Sequence, residues 1–175
     1  MTQRAVKQQE AASSFFAELD IDVSYFPAIW HTYKVGQLMA TDLDRVCRRH
    51  GLSMADVHLL GAARADRSRQ LRATDLAQIL YVSNAVLSSR IARLRRDGFL
   101  ARRPCTTDRR AFELILTPKG VTTIDRAIDD VRKSASFVRF YRLLPLQDQI
   151  ALARIMGELH NQLDREFISA SRGPL

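Results

Sequence analysis

Arginine is the residue whose placement most constrains the chemistry of this chain. Of 27 Lys and Arg, 23 are Arg, and a planar guanidinium fork suits phosphate oxygens and guanine edges better than an ammonium does. Between Ala62 and Gly120, thirteen basic residues stand against five acidic ones, a net +8; the rest carries fourteen of each sign. The whole formal charge of +8 thus sits in one third of 175 residues. Such segregation favours a nucleic-acid face over a surface that is basic only for solubility. Inside that third, the stretch from Ser83 to Arg93 presents the small polar residues Ser83, Asn84, Ser88 and Ser89 together with Val86, Arg90 and Arg93. Asn can pair bidentately with adenine, Ser can serve either base type, and Val can meet a thymine methyl. Core packing is the other use for Val86, while Arg93, Arg95 and Arg96 suit phosphates or solvent.

Other chemistries find less support. There is no Gly-rich phosphate loop, nucleophile elbow or HExxH pair, and four scattered His make no catalytic constellation. No enzyme and no cofactor is expected. Cys47 and His50 have a C-x-x-H spacing, half of a zinc site that His31 or His160 could extend. Cys105 lies among Arg102, Arg103, Arg109 and Arg110, which would favour a thiolate open to oxidation. Neither sensor has a visible second half. Trp30, His31, Tyr33 and Lys34 on one helix, with His58 on the next and Arg90, offer an aromatic wall and cations for a carboxylated ring. The same pattern also describes a packed helix. With no run of about 18 apolar residues and a polar start lacking a signal peptide's apolar stretch, the chain reads as cytoplasmic and free of membrane.

The elements that hold these residues are mostly helices. Gly36, Met39, Leu43 and Val46 or Cys47 recur at helical steps between Ala28 and His50, and Gly51 ends that helix. Ser53 with Asp56 resembles a capping box, followed by Val57, Leu60 and Ala63 on an inner face. A polar connection, residues 65–70, leads to a helix capped by Thr74. Ser83 caps a second, running from Asn84 to about Arg96, with only Tyr81-Val82 between them. That is helix-turn-helix geometry. Phe99–Arg102 and Phe112–Leu116 read as strands joined by a polar loop, the hairpin that turns a helix-turn-helix into a winged helix. Thr117-Pro118 starts another helix, with a stripe of Val121, Ile124, Ile128, Val131, Ala135 and Val138. After Leu144-Pro145, Leu152, Met156, Leu159 and Leu163 continue an apolar stripe towards a frayed SASRGPL end. The fold class is mostly α with a small β-wing. A winged helix-turn-helix at 53–120 is flanked by N-terminal helices at 1–52 and C-terminal helices at 121–175, whose balanced, striped faces can pack on each other or on a second subunit.

The segment from Asp75 to Gly120 resembles the MarR family of bacterial winged-helix regulators. The resemblance rests on Leu94, Gly98, Asp108-Arg109-Arg110 and Leu116-Thr117-Pro118-Lys119-Gly120 in combination. It implies a homodimer, joined through its terminal helices, that binds double-stranded DNA at a pseudo-palindromic operator and usually represses. Ser83, Asn84, Val86, Ser88, Ser89 and Arg90 then fall at recognition positions, and Arg109 or Arg110 at the wing's DNA contact, with Asp108 holding the wing. It also implies a small-molecule effector, an aromatic carboxylate or phenol. The stretch before Leu38 resembles the urate-responsive branch, which uses a tryptophan, an aspartate and arginines; here Phe15 or Phe16 and His58 replace the first two, and only Arg90 matches. A different aromatic acid is therefore expected. An architectural DNA binder is the alternative of another kind, and a redox-responsive regulator acting through Cys105 is a further one.

Overall fold

A computed structural model describes residues 4–19, 22–65, 73–104 and 112–171. In chain order the elements are α1 (Arg4–Ala17), α2 (Phe26–Arg48), α3 (Met54–Ala65), α4 (Ala73–Ile79), α5 (Asn84–Arg96), β1 (Leu100–Pro104), β2 (Phe112–Leu116), α6 (Pro118–Ser134), α7 (Ser136–Tyr141) and α8 (Leu146–Ser171). The class is the expected one: helices with one small antiparallel sheet. Two compact units divide at 42/43, inside α2. That boundary differs from the one near residue 52 read from the sequence. Its physical reason is that Val46 and Cys47, at the end of α2, are fully buried, Cys47 within the second unit's core.

In the first unit, α1 and the start of α2 carry a run of neighbouring rings. Phe15 meets Phe16 edge-on, Phe16 lies 5.3 Å from Phe26, and Phe26 lies 5.6 Å from Trp30. The second unit has the main core, built from Leu59 and Leu60 of α3, Leu76 of α4, Leu87, Ile91 and Leu94 of α5, and Ile124 and Ala127 of α6. Ser53 and Asp56 form the anticipated capping box: each accepts the other's backbone N–H, at 3.1 and 2.7 Å.

Three helices end alike. After α2, Gly51 takes φ +72°, donates to Arg48 O, and Leu52 donates back to Cys47 O. After α5, Gly98 at φ +78° donates to Arg95 O and Phe99 to Leu94 O. This paired closure is the Schellman arrangement, which places its C′ residue in the left-handed region that glycine tolerates. After α4 the same bonds run from Tyr81 to Gln78 O and from Val82 to Ala77 O, but the residue at φ +50° is tyrosine.

Some details depart from the sequence reading. Helix α4 begins at Ala73, so Thr74 lies in its first turn and does not precede it. On α6 the buried positions are Gly120, Ile124 and Ala127, while Ile128 is half-exposed. Steps of three and of four both satisfy helical periodicity, and packing on α3 selects the three. The stripe is not one helix, for Ala135 adopts extended backbone between α6 and α7. Leu144-Pro145 does interrupt before α8, which stays helical to Ser171. Residues 66–70 of the polar connection, 172–175, and the wing-tip residues Cys105, Asp108, Arg109 and Arg110 lie outside the described residues. Among the described residues, no helix is long and apolar enough to cross a membrane.

Candidate nucleic-acid interface

Helix α5 is amphipathic in a way that sorts its residues by task. Leu87, Ile91 and Leu94 are buried, so the opposite face carries the exposed Asn84, Val86, Ser88 and Ser89. Ser83 is the N-cap, its hydroxyl accepting Val86 N–H at 3.3 Å. Val86 is 46% exposed, which removes it from the core and leaves it free to touch a partner. Arg95 and Arg96 are exposed too.

Arg90 and Arg93, two of the residues expected at the DNA, have a partner inside the protein. Both turn towards Asp56 on α3: Arg93 Nη2 donates to its Oδ1, and Arg90 Nε stands 3.6 Å from the same atom. Asp56 is 1% exposed, so its charge is out of water and draws the arginines in. The other oxygen, Oδ2, accepts Ser53 N–H in the capping box. One carboxylate therefore starts α3 and anchors α5. Sequence spacing exposed the first task, three residues apart, and not the second, which joins residues 37 apart.

The wing is an antiparallel pair in which Leu100 faces Leu116, Arg102 faces Leu114 and Arg103 faces Glu113. Arg103 Nη2 bonds Glu113 Oε2 at 2.6 Å across the strands. Its base is clamped by the Leu116–Gly120 motif. Thr117 Oγ1 donates to Gly98 O at 2.7 Å and accepts Gly120 N–H at 3.0 Å. A Cβ on Gly120 would stand 2.1 Å from Phe99 O, so only glycine permits this approach. Lys119 Nζ donates to Asp97 O at 2.7 Å and sits 4.6 Å over the Phe99 ring. The role of Lys119 has no local sequence signal, because its partners lie about twenty residues earlier.

The effector residues divide between the two units. In the first, Lys34 Nζ lies 5.1 Å from the Trp30 ring and 5.7 Å from that of Tyr33, whose hydroxyl accepts from Gln37 at 2.8 Å. Trp30 and His31 are half-buried. In the second, His58 is exposed on α3 and Arg90 turns to Asp56.

The zinc half-site does not assemble as its spacing proposed. Burial, then the nearby Asp44, Asp130 and Asp56 carboxylates, push the Cys47 thiol up, and its sulfur contacts Met54 Sδ at 3.6 Å. His50 Nε2 is taken by Asp130 at 3.2 Å, and His160 bonds Tyr81. Among the described residues, no three His, Cys, Asp or Glu gather as a metal would require.

Comparison with known proteins agrees with this geometry. Residues 52–112 match the MarR family. PecS, an HTH-type transcriptional regulator of Dickeya dadantii (strain 3937), is 29% identical over 112 residues, 63% of this chain and 68% of its own. Sco3205, a MarR family regulator from Streptomyces coelicolor solved in complex with DNA, superposes at TM-score 0.67 and 28% identity over 82% of this chain and 90% of that one. AbsC from the same organism, at TM-score 0.68 and 24% identity over 82% and 97%, shares the fold. The winged helix of this chain, residues 52–112, thus belongs to the MarR family of DNA-binding transcriptional regulators.

Proposed function

We propose that this chain acts as a homodimeric repressor that reads a pseudo-palindromic operator and is released by a small aromatic carboxylate or phenol. The observation that carries the reading is the outward face of α5, where Asn84, Val86, Ser88 and Ser89 stand exposed beside a capped N-terminus. Asn84 and the serines would meet base edges, Val86 a thymine methyl, and Arg95 and Arg96 phosphates. Arg109 or Arg110 would carry the wing's contact, as the family resemblance implies. Arg90 and Arg93 would set the angle of α5 through Asp56.

Homodimerisation is supported by the apolar surface of α8, where Leu152, Ile155, Met156, Leu159 and Leu163 are 39–52% exposed in the single chain. A stripe of that size on a 26-residue helix asks for a partner helix. Two copies of α5 related by a two-fold axis would enter successive major grooves about one helical turn apart. For the effector, Trp30, His31, Tyr33 and Lys34 of α2 supply rings and a cation that suit an aromatic acid, while His58 and Arg90, the other two candidates, belong to the second unit.

In vitro selection from a random duplex pool tests the reading. The expected product is an inverted repeat with half-sites about one turn apart. Enrichment of no sequence would favour an architectural binder. Trp30 is the only tryptophan, so its fluorescence reports the effector directly. Quenching by an aromatic carboxylate that also releases the operator is expected, and both effects should vanish in Lys34→Ala.

A further inference from the structure

Tyr81 occupies a backbone position that its residue type makes costly. It is the C′ residue of the closure after α4, at φ +50°, where the equivalent ends of α2 and α5 use Gly51 and Gly98. An L-residue with a Cβ loses about 1–2 kcal/mol in the left-handed region relative to its ordinary conformations. Burial does not offset this, since Tyr81 is 58% exposed. Its hydroxyl does make bonds: Oη donates to Asp164 Oδ1 at 2.5 Å and lies 2.8 Å from His160 Nε2, whose N–H it can accept. The Asp164 bond also raises the phenol's pKa, so the donating O–H persists at neutral pH. His160 and Asp164 are one turn apart on α8, hence on one face, next in sequence to the exposed apolar Leu159 and Leu163.

We propose that Tyr81, His160 and Asp164 form a latch that fixes the helix-turn-helix on the C-terminal helix, making Tyr81 a positioning residue for half-site spacing. The turn that Tyr81 closes is the one that launches α5, so a bond from this turn to α8 sets where α5 stands relative to any two-fold axis along α8. This inference rests on the homodimer reading. With the latch closed, the separation of the two recognition helices is narrow, and a duplex of the wrong spacing is rejected. With it open, each helix-turn-helix can shift to follow a displaced half-site.

The test compares the selected operator with versions carrying one or two extra central base pairs. Wild type is expected to lose affinity steeply with each insertion. Tyr81→Phe, which keeps the ring and loses the hydroxyl, should reduce that discrimination by about three- to tenfold. Tyr81→Gly relieves the backbone at C′ and should fold at least as stably, yet lose the same discrimination. Asp164→Asn keeps an acceptor and should retain most of it, whereas Asp164→Ala should not, and Tyr81→Phe with Asp164→Ala should be no worse than either alone. If wild type discriminates and both Tyr81 variants discriminate equally well, the latch is overturned and the dimer reading stands. If wild type itself is indifferent to spacing, the dimer reading falls and takes the latch with it.

Discussion

Asp56 shows how one side chain can matter to DNA binding without touching DNA. Its two oxygens serve different helices, Oδ2 the start of α3 and Oδ1 the arginines of α5. Asp56→Ala removes a helix cap and leaves two guanidinium groups without their anchor. The expected loss is about 2–4 kcal/mol of unfolding free energy, read from urea denaturation. The arginines should separate the same way. Arg93→Ala is expected to lower thermal stability, whereas Arg95→Ala should leave stability unchanged and reduce the salt dependence of binding by about one phosphate contact. Equal effects from both would place Arg93 at the DNA after all. Asn84→Ala should cost sequence preference more than general affinity; a uniform loss on every duplex would make Asn84 a backbone contact. The sequence made Ser83, Ser53 and Asp56 legible as caps because capping partners are three residues apart. It could not show Asp56 with Arg93, or Tyr81 with His160 and Asp164, since those pairs exist only once helices have packed.

Among elements, the wing is tied at its base where α5 ends and α6 begins, in addition to the pairing of its own two strands. Gly98, Thr117, Lys119 and Gly120 lock the strand ends together, and Gly120 admits no side chain against Phe99 O. Gly120→Ala must move backbone, so a destabilisation of about 3 kcal/mol or more is expected, seen as a lower denaturation midpoint. An unchanged midpoint would show that this base yields. Two carboxylates tie the end of α2 to its neighbours. Asp44 accepts Met54 N–H at 3.0 Å, and Asp130 accepts from the Ser134 hydroxyl and from His50. These bonds, that of Met54 for Asp44 and first that of Ser134 for Asp130, hold both below the ordinary 3.8. A lowered folded-state value means their stabilisation is present above pH 3.8 and lost as pH falls below it. The thermal midpoint should therefore decline on acidification past that point, and less so in Asp130→Asn. Punctuation by Gly51, Gly98 and Thr117-Pro118 made most of these boundaries readable. The exchange of Ile128 for Ala127 was decided by packing between α3 and α6, which periodicity does not contain, and the break at Ala135 leaves no mark on the spacing of the stripe.

For the whole molecule, the charge arithmetic and the exposed stripes give one division of labour. The net +8 belongs to Ala62–Gly120, and the uncovered apolar residues of α8 lie in the electrically balanced remainder. Leu159→Asp with Leu163→Asp should convert a dimer to a monomer in sedimentation and weaken operator binding; an unchanged mass would exclude α8 as the interface. The central claim is that this winged helix reads sequence, with phosphate attraction supplying affinity and the face of α5 supplying choice. Fluorescence anisotropy at one fixed salt concentration, comparing the selected operator with a scrambled duplex of equal length, tests it most directly. A preference of about a thousandfold or more for the operator is expected. Equal affinity for the two duplexes would contradict the account.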